Sequence, residues 1–149
     1  MTLIVRKTKL TDRTCWLSLW QNYLSFYQAE GMSAELTELL WKRIHTKEHP
    51  IECFVAQVEG ESNLAGFVHF LPHVDTWRKQ PVCYLEDLFV AEGQRGQGVG
   101  KALIQAVVRA AQKQNWAHVY WKTKHDNVTA RRLYDKLTGG TDGFVTYRL

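Results

Sequence analysis

The sequence predicts a single α/β domain of the mixed, α+β kind, in which helices cover both faces of a mixed central sheet. Three observations predict it. The chain has 149 residues, the length of one domain. Its apolar (45%) and charged (23%) residues occur in the proportion of a globular protein. Segments typical of strands and helices follow one another in the order β-α-α-β-β-β-α-β-α-β. We therefore expect residues 1–149 to form one domain.

The first half of the chain is predicted to supply two helices and an antiparallel part of the sheet. The predicted strands are 3–6, 53–58 and 64–71, and the predicted helices are about 13–28 and 33–45. Thr11-Asp12 and Ser33 are residue types that cap helix N-termini. A polar turn at 59–63 joins the second and third strands, which predicts a hairpin.

The second half predicts two strand–helix–strand units. The predicted strands are 82–90, 117–123 and 144–149, and the predicted helices are 101–114 and 127–137. Each helix has apolar residues on one stripe, which is the pattern of a helix packed on a sheet. Connections of this kind are right-handed and make neighbouring strands parallel. The sheet should therefore be antiparallel in its first half and parallel in its second.

Charge and composition restrict the partners and the location. The formal net charge of +4 favours anionic partners but does not choose among nucleic acid, phospholipid and a phosphate-bearing cofactor. We expect no membrane partner, since the chain has no signal peptide and no apolar stretch long enough to span a bilayer. Three widely spaced cysteines form no disulfide framework and no metal motif. These features predict a cytoplasmic protein.

Two histidine pairs have the i, i+4 spacing of metal ligands on a helix. His45 and His49 precede Pro50, and Pro72 lies between His69 and His73. Both pairs therefore fall at the ends of elements, and neither is part of an HExxH motif. We expect no metal site.

Four glycines, at positions 93, 96, 98 and 100, join a predicted strand to a predicted helix. Glycine lets the backbone approach a ligand closely, and a helix N-terminus attracts anions, so this loop predicts a phosphate site. The spacing excludes a Walker loop, which needs glycine at Arg95 and serine or threonine at Ala102. It also excludes a dinucleotide fingerprint, because Lys101 stands where glycine is required.

Three motifs in order resemble the GNAT superfamily of acetyl-CoA-dependent N-acetyltransferases. They are the loop Arg95-Gly96-Gln97-Gly98-Val99-Gly100, the strand Tyr84-Leu85-Glu86-Asp87-Leu88-Phe89-Val90 and the helix Asn127-Val128-Thr129-Ala130-Arg131-Arg132-Leu133-Tyr134. Within the superfamily, the strand and helix motifs most resemble the diamine, polyamine and histone acetyltransferase subgroups. The resemblance implies one GNAT-like acetyltransferase domain whose two central strands splay apart to hold acetyl-CoA, with no metal.

The resemblance also implies which residues contact acetyl-CoA. Backbone groups of Leu88, Phe89 and Val90 would pair with the pantetheine arm, and a strand N–H near Leu88 would support the thioester oxygen. The pyrophosphate would lie on the loop residues Arg95, Gly96, Gln97, Gly98, Val99, Gly100 and Lys101. Asn127 and Arg131 would lie along the far side. Basic residues around the cofactor would include Lys122 and Lys124.

Acyl transfer to an amine needs a base for the ammonium and an acid for the leaving thiolate. The family places the acid at the position of Tyr134, although this tyrosine also fits a core stripe of its helix. Glu86 is our candidate base, and Asp87 is the alternative. Strict strand alternation would put Glu86 on one face with Tyr84 and Leu88, and Asp87 on the other with Leu85 and Phe89. Both carboxylates can share a cleft only if the strand is bulged.

The acceptor is less defined. Aromatic residues of the first two helices are candidates for its wall, although helix packing explains most of them equally well: Trp16, Trp20, Tyr23, Tyr27 and Trp41. Glu30, Glu35, Glu38 and Asp75 are acids that would attract a cation. We therefore favour a small cationic amine, such as a polyamine or diamine, or a lysine side chain of a peptide.

Two further expectations concern assembly and class. The turn at 137–144 is longer than in many relatives and one strand follows it, so an exposed sheet edge is predicted to pair in a homodimer. The alternative to an enzyme is a non-catalytic acyl-CoA-binding regulatory module, which would not need Glu86 and Tyr134. We expect no nucleic-acid partner, because the nearest basic groups, Arg131-Arg132 and Lys122 with Lys124, flank the cofactor site.

Overall fold

The computed structural model describes residues 2–149 and has the predicted mixed sheet. Its five strands lie side by side in chain order: β1 (Leu3–Lys7), β2 (Glu52–Val58), β3 (Leu64–His73), β4 (Val82–Val90) and β5 (Val119–Trp121). The first four strands pair antiparallel, and β5 pairs parallel with β4. The predicted hairpin and the change from antiparallel to parallel pairing are therefore confirmed.

Helices cover both faces of the sheet, as the sequence predicts. They are α1 (Arg13–Phe26), α2 (Ala34–Ile44), α3 (Val99–Lys113) and α4 (Val128–Thr138). One core layer packs Trp16, Trp20 and Trp41 of α1 and α2 against Val55 and Phe67 of the sheet. A second layer packs α3 and α4 against the opposite face. The sheet is thus buried on both sides, and this gives the molecule its main stability.

Of the two predicted helix caps, Ser33 makes the capping hydrogen bond and Asp12 does not. The Ser33 hydroxyl accepts a hydrogen bond from the backbone N–H of Leu36 at 3.1 Å, as expected of an N-cap. Asp12 occupies the N-cap position of α1, but its side chain makes no capping bond there. Its carboxylate instead accepts from the Arg6 guanidinium at 2.7 and 2.9 Å and from the Lys9 N–H. Arg6 therefore holds the pKa of Asp12 below its usual range.

The predicted last strand is wrong. Residues 144–149 form no strand, and their large side chains are exposed, with Phe144 at 81% and Tyr147 at 91%. Their β-type residues indicate only a propensity, and a strand forms only where the backbone pairs with a neighbouring strand. Among residues 2–149 no segment pairs with them. The second strand–helix–strand unit is therefore not completed, and β5 is an edge strand.

Candidate active site

The strands β4 and β5 separate soon after they meet. They pair only where Cys83, Tyr84 and Leu85 face residues 119–121, and β4 then continues to Val90. The later part of β4 therefore turns an unpaired edge toward a gap. The splayed central strands implied by the family resemblance are confirmed, and Leu88, Phe89 and Val90 lie along that gap.

The glycine loop ends in a helix N-terminus whose amides are free. Gly98 is the N-cap of α3 and has a left-handed φ of 80°. The first hydrogen bond of the helix runs from the N–H of Ala102 to the carbonyl of Gly98 at 3.0 Å. Within residues 2–149, the N–H groups of 96–101 donate no hydrogen bond. Six free amides at the positive end of a helix fit the pyrophosphate of acetyl-CoA.

The side chain of Arg95, beside this loop, makes contacts within the protein. Its Nε donates to the carbonyl of Val90 at 3.2 Å. Its guanidinium lies 5.6 Å from the ring centre of Phe26 and 5.5 Å from that of Phe89. Arg95 thereby connects the end of β4 with the glycine loop and with the end of α1. Its positive charge over the Phe26 and Phe89 rings is a stabilising cation–π arrangement.

Asn127 and Arg131 brace the segment between β5 and α4. The Asn127 Oδ1 accepts from the N–H of Ala130 at 3.4 Å and caps α4, and its Nδ2 donates to Thr123. Arg131 donates to the carbonyl of His125 at 2.7 Å. These bonds are structural, and a contact of either residue with acetyl-CoA stays a prediction.

A β-bulge at Glu86 changes the faces predicted for β4. His69 of β3 is opposite Asp87, but the next residue, Phe70, is opposite Leu85, so Glu86 has no partner. Leu85 and Leu88 consequently both pack on the α3 side. The expectation from strict alternation, which put Asp87 with Leu85, is wrong for this reason.

The bulge brings the two carboxylates to the same side of β4. Asp87 contacts Tyr23 of α1 at 2.7 Å, and burial together with the charge of Asp87 raises the pKa of Glu86. The Tyr84 hydroxyl and the Lys122 ammonium oppose this rise. Glu86 is exposed, so it is accessible to a proton donor in solution. It is the carboxylate of the pair that is open to an acceptor.

Asp87 is held in a buried network that the sequence analysis missed. One carboxylate oxygen accepts from the Tyr23 hydroxyl, and the other bonds Nδ1 of His69 at 2.9 Å. Nε2 of His69 bonds Nε1 of Trp16 at 3.0 Å. Burial lowers the pKa of His69, whereas Cys53 and Asp87 raise it, and the net shift is upward. The hydrogen bonds nevertheless fix the proton, because an indole N–H only donates and Nε2 must therefore accept. His69 is therefore neutral in this network, with its proton on Nδ1.

The sequence signal for this network is weak. His69 and His73 have the spacing of a metal pair, for which the sequence predicts no metal, and the structure gives them separate roles. His69 is fully buried, whereas His73 is exposed and bonds the Tyr120 hydroxyl at 2.7 Å. In the part of the chain that the structure describes, no group of His, Cys, Asp and Glu is arranged to hold a metal.

Tyr134 lies on α4 and packs against Trp121 of β5. Its ring meets that of Trp121 edge to face at 5.4 Å, and burial, followed by the nearby Tyr27, raises its pKa to about 12. No residue of the described range 2–149 hydrogen-bonds its hydroxyl. The phenol is thus protonated at neutral pH and free to donate, as the predicted acid must be.

The surface beside Glu86 carries tyrosines and lysines. The rings of Tyr84 and Tyr120 lie 5.0 Å apart, and the Lys122 Nζ lies 5.4 Å from the ring centre of Tyr84. The Lys124 Nζ lies 5.8 Å from that of Tyr27. A cavity of about 280 Å³ lies next to them, lined by Phe26, Tyr27, Lys124, Asp126 and Asn127.

Several of the predicted acceptor residues are buried or paired within the fold. Trp16, Trp20 and Trp41 are buried in the core, so they are not an exposed wall. Glu38 forms an ion pair with Arg13, and Asp75 pairs with Arg78 at 2.6 Å, which compensates both charges locally. Glu30 and Glu35 are exposed. Glu86, by contrast, lies at the bulge of β4 where this strand parts from β5.

Residues 16–139 match the model of the Acetyltransferase (GNAT) family. The chain is 31% identical over 140 residues to the D-amino-acid N-acetyltransferase HPA3 of Saccharomyces cerevisiae, covering 94% of this chain and 86% of that protein. It is 35% identical over 86 residues to the L-ornithine N5-acetyltransferase NATA1 of Arabidopsis thaliana, covering 58% of this chain and 37% of that one. A solved structure of a probable acetyltransferase superposes with a TM-score of 0.85 at 25% identity, covering 100% of this chain and 97% of the other.

Proposed function

The chain belongs to the acetyltransferase (GNAT) family and is an acetyl-CoA-dependent N-acetyltransferase, and from this premise we propose that it acetylates a primary amine by direct attack, with Glu86 as base and Tyr134 as acid. The observation that carries the proposal is the opening between β4 and β5 beside the bulge at Glu86. The candidate acceptors are a small cationic amine, as in the polyamine and diamine subgroups, and a lysine side chain. Two similar proteins act on amino acids by their names, which supports an amine on a small molecule.

Glu86 is proposed to take the proton that an alkyl ammonium must lose before it attacks. Such an amine has a pKa of about 10 and is protonated at neutral pH. The Glu86 side chain remains exposed, but partial burial of its carboxylate together with the Asp87 charge raises its pKa. This makes it a better proton acceptor than an ordinary glutamate. Asp87 is the weaker candidate, because both of its oxygens already accept hydrogen bonds from Tyr23 and His69.

Tyr134 is proposed to hold the proton that the leaving sulfur receives. Acetyl-CoA supplies an activated acetyl thioester when bound. The free amides of 96–101 would hold its pyrophosphate, and the unpaired edge at Leu88, Phe89 and Val90 would orient the pantetheine arm and support the carbonyl oxygen. Because its pKa is raised to about 12, the phenol stays protonated at neutral pH and can donate a hydrogen bond to the sulfur as negative charge develops there. If its proton passes to the sulfur, the second proton that the attacking nitrogen loses restores the phenol.

An amine-panel assay with mass detection tests the reaction. Purified protein is incubated with acetyl-CoA and with amino acids, diamines, polyamines and a lysine peptide, and both the acetylated product and free thiol are measured. Enzymatic product with at least one amine is expected. Binding of acetyl-CoA without product from any amine would favour the alternative, a non-catalytic acyl-CoA-binding module.

A homodimer is proposed in which residues 144–149 pair with the exposed β5 edge of a second copy. Phe144, Val145, Tyr147 and Leu149 are exposed in the single chain, although they are large and apolar. An open groove of about 560 Å³ flanks β5, lined in part by Val108, Trp116, Val119, Trp121 and Leu137. Edge strands pair readily, and an apolar segment of this length would cover both the edge and the groove.

Light scattering after size exclusion tests the dimer. A particle of twice 17.3 kDa is expected for the full chain. Val145→Asp with Tyr147→Asp should give monomers, whereas Thr146→Asp with Arg148→Asp, which changes the intervening side chains, should disturb assembly less. A wild-type particle of 17.3 kDa at high concentration would exclude the dimer.

A cytoplasmic location is also proposed, supported by the free thiols of Cys15, Cys53 and Cys83. Within residues 2–149, no helix is long and apolar enough to cross a bilayer. Cell fractionation with a tagged chain tests the location, and recovery with membranes would contradict it.

A further inference from the structure

Glu86 and Lys122 face each other where β4 and β5 begin to part. Tyr84 is paired with Tyr120 and Leu85 with Trp121, so Glu86 and Lys122 occupy the next position along the two strands. The Lys122 Nζ lies over the ring of Tyr84, and the Tyr84 hydroxyl and the Lys122 charge both act on the Glu86 carboxylate. One negative and one positive group therefore stand together at the mouth of the gap.

Lys122 is not neutralised by the fold. In the part of the chain that the structure describes, no carboxylate lies within 4.0 Å of its Nζ. Two arginines near the gap are engaged by the fold, since Arg95 bonds the Val90 carbonyl and Arg131 bonds the His125 carbonyl. Lys122 is exposed and retains all three of its donors for a ligand.

We propose that the acceptor is an amine that also carries a carboxylate, as an amino acid does, and that Lys122 binds this carboxylate while Glu86 faces the amine. This inference rests on the proposed function, because it assigns the acceptor of that same site. The rings of Tyr84 and Tyr120, whose centres lie 5.0 Å apart, pack together next to the two charges. His73 fixes the Tyr120 hydroxyl through a 2.7 Å hydrogen bond.

The charges disfavour an acceptor that is cationic throughout. Lys122 and Lys124 lie on successive outward positions of one segment, over Tyr84 and Tyr27. Two of the acids expected to attract a polyamine, Glu38 and Asp75, are already paired with arginines. A second ammonium beside these lysines would be repelled, whereas a carboxylate there gains a charge-assisted hydrogen bond. The arrangement thus selects a zwitterionic amine over a polyamine.

The experiment compares matched acceptors with and without the carboxylate. The kcat/KM of the full chain is measured for D- and L-phenylalanine against 2-phenylethylamine, and for ornithine against 1,4-diaminobutane. Lys122→Met should lower kcat/KM for the preferred amino acid by about tenfold to 100-fold, the effect of losing a hydrogen bond to a charged group. It should change kcat/KM for the decarboxylated amines much less, because they carry no carboxylate and are affected only through the loss of the Lys122 charge beside Glu86. Lys122→Arg should recover part of the loss.

Controls separate the failure of this inference from that of the proposed function. Lys113→Met changes an exposed lysine at the end of α3 and should alter neither acceptor class. An equal loss with both classes, accompanied by a higher KM for acetyl-CoA, would place Lys122 on the cofactor and overturn the inference. Equal use of amino acids and decarboxylated amines by the wild type would also overturn it. Absence of acetylation with every amine would instead contradict the proposed function.

Discussion

The indole N–H of Trp16 donates to Nε2 of His69 across 3.0 Å, at a site where both side chains are buried. This bond fixes the imidazole tautomer and turns Nδ1 toward Asp87. The helix α1 is thereby joined to β3 and, through His69, to β4, the strand that carries Glu86 and Asp87. The network positions Asp87 and leaves Glu86, its neighbour across the bulge, as the accessible carboxylate.

Replacement of Trp16 tests the value of this bond. Trp16→Phe removes the donor and leaves Nε2 of His69 buried without a partner, so the free energy of unfolding should fall by about 1–3 kcal/mol, apart from any cavity cost. Urea denaturation followed by circular dichroism measures it. Trp77→Phe, at a side chain that is 83% exposed, should change the free energy by less than about 0.5 kcal/mol. Equal effects would mean that the bond adds no stability.

The base is tested by Glu86→Gln. The kcat/KM should fall by about 10²- to 10⁴-fold near neutral pH, where the acceptor is an ammonium and needs a base. The deficit should shrink as the pH rises toward about 10, the pKa of the amine, because free amine is then present without help.

The pH dependence of the wild-type rate should also report the ionisation of Glu86. Burial and Asp87 raise the pKa of Glu86, so the rate should fall with acidification at a pH above the usual range of glutamate, as Glu86 becomes protonated. Glu48→Gln, at an exposed loop position, is the control. A profile unchanged in Glu86→Gln but lost in Asp87→Asn would assign the base to Asp87.

The acid is tested by Tyr134→Phe. Turnover should drop by about 10²-fold or more, while the Kd for coenzyme A measured by calorimetry stays the same, since the ring and its contact with Trp121 remain. Because the pKa of Tyr134 is raised to about 12, its ionisation should produce no alkaline decline below pH 10 in the wild type. Tyr147→Phe, which removes a phenol hydroxyl but keeps the ring that the proposed dimer uses, is the matched control. Wild-type turnover in Tyr134→Phe would make this tyrosine a packing residue.

Local patterns predicted most of the fold, and contacts between distant segments account for the errors. Strand β4 was predicted at its observed bounds, because apolar and β-branched residues mark it directly. The bulge at Glu86 depends on register with β3, which alternation within one strand cannot reveal. The bond between Trp16 and His69 joins residues 53 positions apart. Residues 144–149 show the opposite case, a strand propensity in a segment that pairs with no strand of residues 2–149, although the edge of β5 is free.

The glycine loop offers a test in which two glycines of the same segment give opposite results. Gly98 has a φ of 80°, and an added Cβ would meet nothing within 4 Å, so Gly98→Ala is penalised by backbone conformation alone. The cost of a left-handed conformation in a residue with a Cβ is about 1–2 kcal/mol. Gly93 also has open space, but its φ is not positive, so Gly93→Ala should be close to neutral.

The two variants should also differ in cofactor binding. If the chain relieves the strain at position 98 by rotating the peptide, the free N–H groups of 96–101 no longer converge, and the KM for acetyl-CoA should rise in Gly98→Ala. Kinetics at saturating amine measure this KM, and urea denaturation measures the stability. The KM of Gly93→Ala should match the wild type. Because neither methyl group would collide with the protein, equal KM values in the two variants would show that the left-handed turn is not what aims these amides at the pyrophosphate.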